Sequence, residues 1–352
     1  MMNKSYMRAV LLTDYGGPDK LEYRKNVSIP EIDSDDVLIE VGACGVNNTD
    51  IWTREGAYGK ELEPNAVSVW PPEPMQFPRI QGADIVGRIK AVGSNVSPLR
   101  IGERVIVDPT LYTGDDEGLL EARFMGSERD GGFAEYTTVP ADNAHIINSP
   151  LSDAELATFP TAYITGEHML SRARLRQGET ILITGASGGV GSGLVQLAHI
   201  RGARVVAIVG SGKEEQMRQL GAEIVVTRDT ERLYEAVTEA INGQFIDVVA
   251  DVVGGSMFTV LLRLLRKQGR YVTAGAIAGP TVRLDLRTVY LKHLEIIGST
   301  LGTHQEFADL VSYIEAGKLK PLLARTYPLE NIKQAQRDFK EKRFFGKLVI
   351  VP

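Results

Sequence analysis

The segment ITGASGGVGSGLVQLA, residues 183–198, decides the fold of the second half of this 352-residue chain. It follows an apolar run and opens a helical pattern, which is the context of a dinucleotide-binding turn. Small residues occur at its three turn positions, with Ala186 at the tight turn, followed by Gly188 and Gly191. The new helix offers unpaired N–H groups and a positive dipole end to a diphosphate. The alternative is a tight strand–helix turn that binds nothing. The predicted phosphate contacts are Ala186, Ser187, Gly188, Gly189, Val190 and Gly191.

Strands and helices alternate on both sides of this turn. Runs such as ILIT at 181–184 and VVAIV at 205–209 are continuously apolar, which fits a sheet covered on both faces. The alternation predicts right-handed crossovers and a doubly wound parallel sheet, an α/β fold. A cofactor lies at the carboxyl edge of such a sheet. Strands four and five of the series end there, at Val253, Gly254, Gly275 and Ala276.

The strand after the turn indicates which nucleotide is bound. An NAD site places an Asp or Glu at the end of this strand, on the ribose 2′-hydroxyl. Here Gly210 and Ser211 stand in its place, Lys213 follows, and Arg228 comes just after the next strand. A hydroxyl and two cations suit a 2′-phosphate, which a carboxylate would repel. We therefore expect NADPH, the alternative being that both cations are solvated surface groups.

Residues 7–150 have a different pattern, with short alternating strands separated by Gly, Pro and Asn. They predict an antiparallel, partly barrel-like β domain. The terminal strand GKLVIVP, residues 346–352, lies far from the strand–helix series and is a candidate to return to this first domain. Two long loops, 59–78 and 108–132, are expected either to shape a site or to be mobile.

Composition excludes several classes of protein. The net charge of −6 and the short, interrupted basic run 340–347 favour a solvated surface over nucleic-acid binding. Cys44 is the single cysteine, so an intramolecular disulfide and a four-thiolate zinc site are excluded. The chain contains neither an 18-residue apolar run nor a signal-peptide core, so we expect no membrane association and a cytoplasmic location.

The ordered motifs GVNNTD, GADIVGRIKAVG, GERV, GGFAEY, TAYITG, TGASGGVG and GKLVIVP span nearly the whole chain. Their order resembles the medium-chain dehydrogenase/reductase superfamily. That resemblance implies a GroES-like catalytic domain over residues 1–153 and 299–352. It also implies a Rossmann domain over residues 154–298, with Thr165 of TAYITG among the cofactor contacts.

Alcohol dehydrogenases of that superfamily hold a catalytic zinc. The matching positions here are Asn47, Ala83 and Ala157, and none carries a thiolate or an imidazole. The five histidines show no HxxxH-type spacing. We therefore expect no metal. The sequence more closely resembles the zinc-independent branch, the quinone oxidoreductases of the zeta-crystallin type and the 2-enoyl thioester reductases.

Without a metal, the expected reaction is hydride transfer from NADPH to a small conjugated carbonyl acceptor such as a quinone. The resemblance makes Tyr58 the candidate proton donor and Asn47 a hydrogen-bonding partner of the nicotinamide or the substrate. Tyr58 as an aromatic wall and Asn47 as a turn residue stay open. So do an enoyl thioester reductase and a non-catalytic, crystallin-like NADPH-binding protein. The apolar strand LEIIGST, residues 294–300, is a candidate homodimer contact.

Overall fold

The computed structural model describes residues 5–58, 74–113, 119, 121–228 and 232–352. Most of the 59–78 loop, and residues 114–118 and 120 of the 108–132 loop, lie outside these ranges. The strands are β1 Tyr6–Leu12, β2 Leu21–Ser28, β3 Asp36–Gly45, β4 Asp84–Val92, β5 Arg104–Val107, β6 Thr110–Leu111, β7 Arg123–Phe124, β8 Tyr136–Pro140, β9 Ala144–Ile146, β10 Thr180–Ile183, β11 Arg204–Val209, β12 Ile224–Thr227, β13 Ile246–Asp251, β14 Leu265–Thr273, β15 Glu295–Gly298, β16 Leu323–Pro328 and β17 Lys347–Val351. The α-helices are α1 Asn48–Glu55, α2 Asp153–Leu156, α3 Pro160–Arg172, α4 Gly189–Ile200, α5 Glu214–Gln219, α6 Leu233–Ala240, α7 Phe258–Leu264, α8 Leu286–Lys292, α9 His304–Glu315 and α10 Ile332–Glu341.

The chain forms two compact units. The first comprises residues 1–161, 303–315 and 321–352, and the second comprises 162–302 and 316–320. The sequence-based boundaries were placed after 153 and 298. No α-helix in the described ranges is both long and apolar enough to cross a bilayer.

A six-stranded parallel sheet forms the centre of the second unit, in the order β12-β11-β10-β13-β14-β15. Counted from β10, this is the order 3-2-1-4-5-6 of a dinucleotide-binding sheet. The strands β10 and β11 are buried along almost their whole length, which explains their unbroken apolar sequence. The order changes direction between β10 and β13, so their carboxyl ends border the crevice where such sheets bind ligands.

The first unit is built on a seven-stranded sheet. Its path is β16-β17-β3-β4-β5-β9, and β8 pairs with β3. Most neighbours are antiparallel, as the alternating sequence predicts. The terminal strand β17 pairs with β3, Ile350 lying opposite Cys44, so the predicted return of the chain to the first domain is confirmed. This pairing brings Lys347 to the sheet region from which α1 starts.

Candidate active site

Asn47 links β3 to α1 and is the N-cap residue of that helix. Its backbone N–H donates to Asp50 Oδ2 at 2.7 Å, so Asp50 anchors a backbone N–H group, as expected of a structural residue. Gly56 ends the helix in the left-handed conformation, at φ 71°. Both ends of α1 are therefore fixed, and so is the backbone position from which the Asn47 side chain extends.

A buried lysine lies against this side chain. Lys347 Nζ donates to Asn47 Oδ1 at 2.5 Å and to Asp84 Oδ2 at 2.7 Å. The Lys347 side chain is 4% exposed and that of Asp84 is 0% exposed. Asp84 Oδ1 also accepts the Thr161 N–H at 2.8 Å, so both carboxylate oxygens have donors. The expectation that residues 340–347 form a solvated basic face is therefore wrong at Lys347.

The Asn47 amide is oriented by this contact. An ammonium group only donates, so the amide oxygen must face Lys347 and the amide nitrogen must face away from it. Asn47 Nδ2 is buried, and within the described ranges it has no hydrogen-bond partner. A buried donor without a partner is rare in folded proteins. It marks the place where a ligand oxygen would be accommodated.

The residues at this position do not fit a zinc ion. Ala83 and Ala157, at two of the matching positions, are fully buried and have no ligating side chain. The third, Asn47, already accepts a hydrogen bond from a lysine. The Cys44 thiol lies near Asp50 and Asp84, and its burial raises its pKa well above the usual value, so it stays protonated. The Lys347 ammonium group thus lies beside Asn47, where a metal ion bound to that residue would have to lie.

Two further titratable groups belong to α1 and the turn after it. Burial raises the pKa of Asp50 to about 7, although the Asn47 N–H opposes this shift. Burial also raises the pKa of Tyr58, against a hydrogen bond with Thr49. Tyr58 therefore stays a phenol at neutral pH, able to donate a hydrogen bond. Its ring meets that of Trp52 edge to face, with 5.4 Å between centroids, so both predicted roles, donor and aromatic wall, remain compatible with its position.

The nucleotide-binding turn in the second unit follows β10. Gly188 is the N-cap of α4 and offers no side chain, which leaves the first N–H groups of the helix without a side-chain partner. A Cβ on Gly191 would lie 2.3 Å from the Gly185 carbonyl oxygen, so only glycine permits this approach of helix to turn. Gly185 itself has φ +56°. Sequence reasoning placed the tight-turn residue at Ala186, one position later.

The segment that follows β11 is exposed, and space is free beside its backbone. Gly210 and Ser211 are exposed, and a Cβ on Gly210 would touch nothing within 4 Å. Lys213 Nζ donates to Ser187 Oγ at 3.5 Å, which brings the predicted cation back to the phosphate turn. Arg228 is exposed, and its backbone N–H donates to the Val209 carbonyl at 2.7 Å, beside the end of β11. The residues predicted to bind a 2′-phosphate therefore lie near the carboxyl end of β11.

Asp251 organises the carboxyl ends of the central strands. This buried carboxylate accepts the Thr184 and Tyr271 hydroxyls and the backbone N–H of Val253. The loop it fixes continues to Gly254, and the loop after β14 joins it through Ala278 N–H and the Val253 carbonyl at 2.8 Å. The structure thus brings together four predicted cofactor contacts, which are Val253, Gly254, Gly275 and Ala276. Thr165 is half-buried in α3 of the same unit.

Known proteins share this architecture. The chain matches the family of alcohol dehydrogenase GroES-like domains over residues 33–149 and that of zinc-binding dehydrogenases over residues 189–316. A quinone oxidoreductase of Mus musculus is 30% identical over 342 residues, covering 94% of this chain and 93% of the relative. An NAD-dependent alcohol dehydrogenase of Sulfurisphaera tokodaii is 29% identical over 357 residues, covering 98% and 100%. A crystal structure from Sinorhizobium meliloti 1021, for which alcohol dehydrogenase activity is proposed, is 56% identical with a TM-score of 0.95, covering 99% and 97%.

This chain belongs to the medium-chain dehydrogenase/reductase superfamily. The predicted resemblance and the predicted fold class, a GroES-like domain with a Rossmann domain, are confirmed. As a medium-chain dehydrogenase/reductase the chain is an oxidoreductase of the group that uses nicotinamide coenzymes.

Sequence reasoning missed several residues that shape the site of this dehydrogenase/reductase. Lys347 meets Asn47 across 300 positions, and no local pattern could reveal that contact. Asp84 was visible in GADIVG but carried no pairing signal. Asp251 and Gly185 had a signal: an acidic residue ends a continuously apolar strand, and a glycine precedes the small-residue turn.

Proposed function

We propose that this protein is an NADPH-dependent, zinc-independent reductase that transfers hydride to a small conjugated carbonyl acceptor, a quinone or an enone. One observation carries the proposal: Lys347 holds the Asn47 amide so that a buried, unpartnered Nδ2 faces away from it. That arrangement supplies a neutral donor beside a fixed cation. It offers no three-ligand metal site.

A donor of this kind suits conjugated acceptors better than simple ketones. A nicotinamide coenzyme supplies the hydride when bound. On a quinone or an enone the incoming negative charge spreads to a conjugated oxygen, where an aimed N–H or O–H group stabilises it. Asn47 Nδ2 supplies one such donor. The Lys347 ammonium polarises the amide through Oδ1, and Tyr58 provides a hydroxyl that stays protonated at neutral pH.

The preference for NADPH is inferred from the residues that follow the carboxyl end of β11. A 2′-phosphate needs hydrogen-bond donors and positive charge, and Ser211, Lys213 and Arg228 provide them where an NAD site has a carboxylate. The Lys213 contact with Ser187 supports this assignment, since it holds the cation beside the phosphate turn. The NAD-dependent relative of Sulfurisphaera tokodaii represents the opposite preference. A direct comparison of NADPH with NADH therefore belongs in the first experiment.

The test is a coenzyme-oxidation screen on the purified chain. Substrates are 1,2-naphthoquinone, a linear enone and an enoyl thioester, each with NADPH and with NADH, and every assay is repeated after metal ions have been removed with a chelator. Sustained NADPH oxidation with the quinone or enone, at an unchanged rate after metal removal, is the expected result. Asn47→Ala should lower kcat strongly, whereas the adjacent Asn48→Ala serves as a matched control. Turnover that stops on metal removal while the fold is retained, or coenzyme binding without turnover on any acceptor, would overturn the proposal.

We also propose a homodimer formed through the β15 edge. This strand ends the parallel sheet, and Ile296 on it is 43% exposed. Tyr290 and Leu291 on the neighbouring α8 are exposed as well. Apolar side chains beside an unpaired strand edge favour pairing with a second copy. Light scattering should give the dimer mass for the wild type and the monomer mass for Ile296→Lys.

A further inference from the structure

A second cluster of ligating side chains lies in the first unit and shares no residue with the assembly of Asn47, Lys347 and Asp84. It consists of Asp108, His145 and His304, and one potential ligand atom from each lies within 4.8 Å of the others. The sequence separates these residues widely, and only the fold brings them together.

Rigid elements hold all three residues. Asp108 directly follows β5, His145 lies in β9, and these two strands are paired. His304 is the first residue of α9. The start of that helix is fixed by reciprocal hydrogen bonds, in which Thr303 N–H donates to Glu306 Oε2 and Glu306 N–H donates to Thr303 Oγ1. The cluster is therefore supported by a sheet on one side and a capped helix on the other.

The polar atoms of the cluster are arranged as ligands. The fully buried Asp108 carboxylate accepts the Thr110 N–H at 3.0 Å and the Tyr112 hydroxyl at 2.8 Å, which fix its orientation. His304 Nδ1 lies 3.7 Å from Asp108 Oδ2, too far for a hydrogen bond. His145 Nε2 is buried and has no hydrogen-bond partner within the described ranges.

Aromatic rings hold both imidazoles in place. The Tyr112 ring stacks on His304 with 3.6 Å between centroids, and Phe307 lies 4.9 Å from His145.

We propose that Asp108, His145 and His304 bind a divalent transition-metal ion, with zinc as the best match. Two imidazoles and one carboxylate are a zinc ligand set, with water completing four-coordination. Zinc–ligand bonds of about 2.0–2.1 Å in a tetrahedron place ligand atoms about 3.4 Å apart. The 3.7 Å separation of His304 Nδ1 and Asp108 Oδ2 is close to that value, and the other ligand atoms, within 4.8 Å of one another, would have to move closer by up to about 1.4 Å on binding.

The ion links the start of α9 to the β5–β9 edge of the sheet. We expect its effect to be on stability, because it joins two elements of the first unit and none of the three ligands belongs to the Asn47 assembly. The Tyr112 hydroxyl donates to Asp108 and so orients this ligand. Hydrogen bonds of this kind to a ligating carboxylate raise the affinity of a site for its metal ion.

The experiment titrates metal-free full-length protein with Co²⁺, whose visible absorption reports coordination, and then displaces it with Zn²⁺. One ion per chain is expected, with a four-coordinate spectrum and a higher melting temperature for the loaded protein. His145→Ala and His304→Gln should each weaken binding by about 100-fold or more, and Tyr112→Phe by roughly tenfold. His293→Asn is the matched control, since asparagine tolerates the left-handed backbone of that residue and keeps the cluster intact.

His304 lies at a helix start with a 40% exposed side chain, so its variant keeps the test valid if His145→Ala does not fold. Retained circular dichroism together with lost Co²⁺ absorption in His304→Gln supports the site. Absence of Co²⁺ binding to the wild type, or binding that survives His304→Gln, overturns it and leaves the cluster as packed polar side chains without an ion.

Discussion

Replacing Lys347 with methionine removes one partner of a buried ion pair and keeps the length of the side chain. The Asp84 carboxylate, 0% exposed, then loses its only cation within the described ranges and keeps the Thr161 N–H. Because a buried charge without a partner is strongly destabilising, we expect the free energy of unfolding to fall by about 3–5 kcal/mol. Asn47 Oδ1 loses its donor in the same variant, which adds to the loss.

Urea unfolding followed by tryptophan fluorescence measures this change. Trp52 lies in α1 of the first unit, where it contacts Tyr58, so a change in its fluorescence reports the unfolding of that unit. For a unit of this size the same loss corresponds to a melting temperature lower by roughly 6–20 °C. The unfolding slope should stay unchanged, since the surface exposed on unfolding is the same.

The double variant Lys347→Met, Asp84→Asn decides whether pairing is the cause. An asparagine still accepts the Thr161 N–H but carries no charge, so most of the lost stability should return. The reasoning is refuted if Lys347→Met loses less than about 1 kcal/mol, or if the two substitutions together are as harmful as the sum of their separate effects.

Other residues of the site give further predictions. The neutral Asp50 carboxyl contributes stability that is complete below about pH 4 and is lost as the pH rises to about 7, so Asp50→Asn should remove a fall of roughly 4 kcal/mol from a pH series of unfolding curves. Tyr58→Phe should lower kcat about 100-fold in steady-state assays if the hydroxyl supplies the proton, and unchanged turnover would leave the ring as a wall. Lys213→Ala should raise the KM for NADPH roughly tenfold and spare that for NADH, and an equal change in both would refute the phosphate role. Gly191→Ala should abolish coenzyme binding in fluorescence titrations, because its Cβ would meet the Gly185 carbonyl; binding at wild-type affinity would contradict this.

Local patterns predicted the parallel sheet well and helix ends less well. Unbroken apolar strands and a small-residue turn belong to adjacent positions, so β10, α4 and β11 could be read directly from the sequence. By the alternation of strands and helices, the segment MFTVLLRLLRKQG, residues 257–269, would be one helix. The structure ends α7 at Leu264 and starts β14 at Leu265, because Leu265 pairs with Ile246 of β13. A contact with another strand overrode the helical spacing.

The candidate site was predictable only in part. Asn47 and Tyr58 lie in recognisable motifs, whereas the partner of Asn47 is Lys347, in a stretch that reads as a charged surface. The histidines show no metal-binding spacing in sequence, yet His145 and His304 meet at Asp108 in the fold. Pairings across a hundred or more residues depend on sheet register, which periodicity does not contain.

The insertion of β17 beside β3 also constrains how the protein is made on the ribosome. β3 leaves the exit tunnel early, but its neighbour Lys347–Val351 is synthesised some 300 residues later. The six-stranded sheet of residues 162–302 has all its strands by then and can fold first. Until β17 has been synthesised, the carboxyl end of β3 keeps an unpaired edge. Chaperones that bind unpaired strand edges could therefore act on the amino-terminal part during that interval.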